Sequence, residues 1–298
     1  MVNLIYVPQM KEVAEFYKQS PFYSGESVIP LEAYKATDIP GRVLVLGRNG
    51  KWHHQDLDHI DMLQSKDIVS PGKDLSLVLF DRHTDYLYDQ KARDMKKQRY
   101  LNCGSWVSKG IIDEMFSNII MIGQESKNVN GYFSFSRRRS HDLGQIMKWL
   151  DEVELYLAGN CLVADIFYPE VEHLLLSNPS VENYDIIEDG KYVMIKFKPF
   201  KEVNYSSTKS GIIASTDLDV LDESEMVVDF AQGGLKTEQL VDLIDGMPTK
   251  LEAAIVSGFT ELPRRRDQNA LTNLSRILNA YTEVLRQSEV EIVRAINQ

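Results

Sequence analysis

Short, almost unbroken apolar runs constrain the fold of this 298-residue chain more than any other feature. They recur at Leu4 to Val7, Val43 to Leu46, Leu75 to Phe80, Ile119 to Ile122, Ile212 to Ala214 and Ala253 to Val256. A strand with one wet face alternates apolar and polar residues, whereas these runs are apolar throughout, as expected of strands covered by helices on both sides. Amphipathic segments supply the cover. In Thr237 to Met247 the residues Leu240, Leu243, Ile244 and Met247 fall at i, i+3, i+4 and i+7, and Leu271, Leu274, Leu278, Tyr281 and Leu285 form a similar stripe. The alternation predicts a three-layer α/β/α fold with a mostly parallel central sheet. There is no internal repeat or long low-complexity linker, so residues 1–298 read as one domain. Two stretches read as excursions: Gln124 to Asp142, and about Asn178 to Ser210, whose alternating run Tyr192 to Phe197 predicts an added strand or hairpin.

Two of the apolar runs end in acids at regular spacing. Leu75 to Phe80 leads into Asp81-Arg82-His83-Thr84-Asp85, and Gly211 to Thr216 leads into Asp217-Leu218-Asp219. Alternate residues of an extended segment point the same way, so Asp81, His83 and Asp85 can converge just past one strand. Open α/β sheets place their ligands at that carboxyl edge. Four carboxylates gathered around one imidazole would repel one another strongly unless divalent cations neutralised them. Two metal ions account for the set. Oxygen-rich ligation with some imidazole suits Mn(II), and two cysteines, Cys103 and Cys161, are too few for a cysteine-rich zinc site.

These motifs resemble those of a known family. Asp81-Arg82-His83-Thr84-Asp85 resembles the Asp-Ala-His-x-Asp signature of arginases, agmatinases and formiminoglutamases, the ureohydrolases. Ser215 to Asp222 is similar to their Ser-x-Asp-x-Asp-x-x-Asp signature, Gln232-Gly233-Gly234-Leu235 to their Gly-Gly-Leu entry to a helix, and Gly258 to Pro263 to the segment that carries a substrate-site glutamate. The resemblance implies an arginase-like fold holding two Mn2+ ions. Asp81 and Asp217 would bridge the ions, Asp85 would complete one, and His83 with Asp219 would complete the other. It also implies that Asp85 handles a proton and that Glu261 holds the group being hydrolysed.

The chain departs from the family pattern in two places. The usual Gly-Gly-Asp-His motif is absent, and after Val43 to Leu46 the sequence reads Gly47-Arg48-Asn49-Gly50-Lys51-Trp52-His53-His54-Gln55. His54 is assigned as the first-metal ligand, because its His-Gln context and its loop ahead of the Asp81 strand are similar to those of an arginase-like group with a comparable metal pattern; His53 is the alternative. Leu101 to Trp106 stands where the family carries a proton-transferring histidine, and Cys103 takes that place. A buried small hydrophobe is the plainer reading of Cys103, with a substitute acid or base or a metal-proximal thiol as the others. For Arg82 an ordinary ion pair is the plainer reading. His59, His141 and His173 have no comparable context.

Charge and hydropathy narrow the partners. A formal net charge of −11 disfavours nucleic acid, and the short clusters Arg137 to Arg139 and Arg264 to Arg266 do not reverse that field. No stretch approaches the roughly 20 apolar residues of a membrane helix, and charges come too early at the N-terminus for a signal peptide. A cytoplasmic protein with a small-molecule substrate is expected, with self-association left open. Two functions fit: a dinuclear-manganese hydrolase of a carbon–nitrogen bond in a small guanidino, amidine or amide compound, or a non-catalytic metal-binding or regulatory protein on the same fold.

Overall fold

The computed structural model describes residues 1–37, 39–83, 85, 101, 103–125, 153–158, 160–164, 169–187, 192–228, 232–259 and 267–296. Its centre is a sheet of eight strands: β1 (Val2–Tyr6), β2 (Ser27–Pro30), β3 (Arg42–Leu46), β4 (Leu75–Phe80), β5 (Asn118–Glu125), β6 (Val153–Ala158), β10 (Gly211–Asp217) and β11 (Leu251–Ser257). They are ordered β2-β1-β3-β11-β10-β4-β5-β6, and every neighbouring pair is parallel. Each expected apolar run lies within or overlaps one of them. Every residue of β4 and β10 is buried, which is why both read as continuous apolar runs.

The described helices are α1 (Lys11–Gln19), α2 (Leu31–Lys35), α3 (Asp56–Ser65), α4 (Trp106–Ile112), α5 (Pro169–Ser177), α6 (Thr237–Asp245) and α7 (Gln268–Ile296). α7 packs along β1, β3 and β11 and against α6. Leu271, Leu274, Leu278, Tyr281 and Leu285 are all buried there, as the stripe predicts. Tyr281 is pinned to β10 by a 2.6 Å hydrogen bond between its hydroxyl and Thr216 Oγ1. This contact anchors the strand one residue before Asp217.

The second excursion does contain the expected hairpin, β8 (Val181–Ile187) with β9 (Tyr192–Phe197). It is joined by β7 (Asn160–Ala164) in a separate antiparallel sheet ordered β7-β9-β8. Neither β2 nor β7 stands out in the sequence. β2 is only half buried along its length and ends in a proline, so it lacks the apolar signature of the inner strands. Most of the first excursion, residues 126–142, lies outside the described residues, as do Arg137 to Arg139 and His141. No described helix is long and apolar enough to cross a membrane.

Candidate metal centre

Strand order and register bring the two carboxylate motifs together. β4 lies beside β10 with Phe80 opposite Thr216, so the next residues, Asp81 and Asp217, emerge side by side. On the other flank of β10, Asp217 is opposite Ser257 at the end of β11, and Val256 is opposite Leu46 at the end of β3. Four adjacent parallel strands therefore present their carboxyl ends in a row, and the loop after β3 closes over it. Gly258 fits there because it has no side chain: at φ +93° an added Cβ would collide with Asp217 Oδ1.

His53, in the 3₁₀ turn Gly50–Gln55, is the imidazole that reaches this row. Its Nδ1 lies 2.9 Å from Asp85 Oδ2 and 3.3 Å from both Asp81 Oδ2 and Asp217 Oδ2. On the other side of Asp81, His83 Nδ1 lies 2.9 Å from Asp219 Oδ2 and 3.5 Å from Asp81 Oδ1. Among the described residues, two groups of potential ligand atoms result, His53 with Asp81 and Asp85, and Asp81 with His83 and Asp219. Asp81 belongs to both.

Of the two candidates, it is His53, the alternative to His54, that lies among the carboxylates. Neighbouring residues of a 3₁₀ helix point about 120° apart, so His53 and His54 cannot both face the carboxylates. His53 is buried against them, whereas the His54 ring lies beside Trp52 at 5.8 Å between centroids. Glu261 and Arg264 to Arg266 lie outside the described residues. The Gln232 to Leu235 segment runs alongside the loop after β10, where Gly233 N donates to Asp219 O at 2.6 Å and Leu235 N to Val220 O at 3.1 Å. Arg82 is buried, and its Nη1 donates to the carbonyl oxygen of Gln232.

Three features beyond the motifs shape the site. Trp106, fully buried at the start of α4, donates its indole N–H to Asp85 Oδ2 at 2.6 Å and packs 5.0 Å from the His53 ring. Asp85 itself holds a left-handed backbone at φ 47°, a conformation that aspartate tolerates better than most residues. Beneath His53, the buried Asp56 accepts hydrogen bonds from Ser215 and Ser257. Cys103 is a free, half-buried thiol whose ionisation is disfavoured by burial and by the nearby Asp85 and Asp217 carboxylates. It therefore borders the centre.

The electrostatics are those of a site built for cations. Burial pushes Asp85 and Asp219 up to about 7, with the Asp81 charge adding to both. Asp217 is raised well above the carboxylate range by burial and by Asp219. Asp81 goes the other way: burial opposes its charge, but the adjoining His53 and His83 imidazoles, when protonated, more than compensate. Burial disfavours both imidazolium ions too, yet the carboxylates lift His53 well above 6.5 and His83 to about 11. Protons thus balance the cluster when no other cation does. His53 Nδ1 and Asp81 Oδ2 are buried without a hydrogen-bond partner and face the same point, as atoms that take a metal would. Carboxylate and imidazole donors in this number suit manganese.

No family model and no curated protein matches the sequence. Solved structures do match. Agmatine ureohydrolase of Thermoplasma volcanium is 12% identical, with 97% of this chain and 91% of that chain covered and a TM-score of 0.57. Arginase from Bacillus subtilis is 12% identical, with 94% and 98% covered and a TM-score of 0.55. Formimidoylglutamase from Bacillus subtilis subsp. subtilis str. 168 is 15% identical, with 95% and 87% covered and a TM-score of 0.50. This is the arginase fold, in a divergent form. The likeness extends over nearly the whole chain and agrees with the all-parallel central sheet.

Proposed function

We propose that the protein is a dinuclear-manganese hydrolase that cleaves a carbon–nitrogen bond in a small guanidino, amidine or amide compound. The observation that carries this reading is the convergence of His53, Asp81 and Asp85, and of Asp81, His83 and Asp219, at the carboxyl ends of the central strands of an arginase fold. Two divalent ions held there would supply Lewis-acid activation of water and stabilisation of developing negative charge. The solved structures with this fold include an arginase, an agmatine ureohydrolase and a formimidoylglutamase, which points to carbon–nitrogen hydrolysis as the reaction class.

The protein's own groups would divide the work. Asp81, which is common to both ligand groups, and Asp217, 3.3 Å from His53 Nδ1, would serve both ions, Asp85 with His53 one, and His83 with Asp219 the other. Asp85 Oδ2 accepts from Trp106 and faces His53, so Oδ1 is the atom left to take up a proton during water attack. Glu261 follows β11 by four residues and would hold the cationic carbon centre of the substrate. A second reading, a metal-binding protein without turnover, is favoured by Cys103, which borders the carboxylates where the family resemblance calls for a proton-transferring histidine. Loading the protein with Mn2+ and screening guanidino, amidine and amide compounds for release of urea or ammonia separates the two. Turnover that vanishes in Asp85→Asn supports the hydrolase; stoichiometric manganese without turnover of any compound supports the second reading.

A further inference from the structure

Asp56 is a buried carboxylate that helix capping does not explain. It opens α3, but both of its oxygens are spent on the sheet: Ser215 Oγ donates to Oδ2 at 2.6 Å and Ser257 Oγ donates to Oδ1 at 3.1 Å. Asp56, Ser215 and Ser257 are 1%, 0% and 2% exposed. Gly47 leaves the room, since a Cβ there would collide with Ser257 Oγ. Burying a carboxylate is costly unless it is hydrogen-bonded, and two neighbouring strands, β10 and β11, supply donors to this one.

The bonding pattern reaches His53. Its Nε2 lies 3.1 Å from Ser215 Oγ and 3.3 Å from Asp56 Oδ2. A serine hydroxyl has one hydrogen, and Ser215 gives its hydrogen to Asp56, so both atoms facing Nε2 present lone pairs. Nε2 must therefore carry a hydrogen. In a neutral imidazole that leaves the lone pair on Nδ1, the atom that lies among the oxygens of Asp81, Asp85 and Asp217.

We propose that Asp56, acting through Ser215, is a positioning residue that holds His53 in the Nε2–H form and so aims its Nδ1 lone pair at the metal centre. This rests on the reading of the site as a metal centre. Partners of this kind fix ring orientation and tautomer, and their loss typically weakens metal binding about 10–100-fold.

The test is Mn2+ affinity by calorimetry for the unchanged protein, His53→Ala, Asp56→Ala and the double variant, together with 15N spectra of histidine-labelled protein loaded with Zn2+. Asp56→Ala is expected to bind Mn2+ about 10–100-fold more weakly and to add little to the loss already caused by His53→Ala, because Asp56 works through that ring. A merely structural role would make the two losses add. In the unchanged protein, His53 is expected to show a protonated Nε2 and a zinc-ligated Nδ1. If Nδ1 carries the hydrogen instead, the inference is overturned, and this outcome needs no variant to fold. It is equally overturned if His53→Ala loses manganese while Asp56→Ala binds it as tightly as the unchanged protein. Undiminished binding by His53→Ala would overturn the metal-centre reading itself.

Discussion

The two ligand groups that share Asp81 differ in their access to water. His53, Asp81 and Asp85 are 1%, 1% and 5% exposed and are roofed by Trp106, whereas the His83 side chain in the other group is 33% exposed. The closed group draws its imidazole from the 3₁₀ turn after β3 and braces it from below with Asp56. The open group takes both of its histidine and carboxylate partners from residues next to strand ends. A buried group loses more when a ligand is removed, because water cannot readily replace it, while an exposed group is partly repaired by solvent.

The comparison breaks most visibly at the residue common to both groups. Asp81→Asn is expected to abolish binding of both ions, a loss exceeding about 100-fold given that even outer partners are worth about 10–100-fold; metal analysis after gel filtration with unchanged stoichiometry would sink the shared role. Next, His53→Ala should remove one ion selectively, whereas His54→Ala should leave the stoichiometry intact. The reverse result would restore His54 as the ligand. His83→Ala should cost less than His53→Ala, with the affected ion still measurable at high Mn2+, and equal losses would show that exposure does not separate the two groups.

The smallest effect is a pH dependence of the chelator-treated protein. Asp85 and Asp219 rise from 3.8 to about 7 on folding, so the folded state binds their protons more tightly than the unfolded chain does. Stability is then lost as pH climbs from about 4 through about 7. His83, raised to about 11, contributes stability that is complete below 6.5 and also declines as pH rises. Asp81, depressed on folding, contributes fully above its unfolded value of 3.8 and so does not offset this window. The metal-free protein should therefore melt lower at pH 8 than at pH 5, and Mn2+ should cancel most of that slope while releasing protons as it binds. A chelated protein that melts higher at pH 8 would contradict the proton-filled cluster. Protein-wide charge also changes in this range, so the same series on Asp219→Asn isolates the contribution of the open group.

Much of this architecture was legible in local sequence. Continuous apolar runs mark strands buried on both faces, and an acid placed directly after such a run has nowhere to go but the carboxyl edge, which is why the sequence itself groups Asp81, His83, Asp85, Asp217 and Asp219. Register decided that Asp81 and Asp217 stand next to each other, since nothing within either segment says that β10 lies beside β4. The histidine turn was ambiguous for a geometric reason: His53 and His54 are adjacent, and a rotation of about 120° between them is settled only by which face of the turn meets the sheet. The spacing His53-x-x-Asp56 was present in the sequence as a signal, but its meaning depends on Ser215 and Ser257, which lie 159 and 201 residues from Asp56. Local sequence determines which residues end a buried strand. Only tertiary packing decides which side chains from distant segments meet there, because hydrogen bonds such as those to Asp56 join groups that share no local pattern.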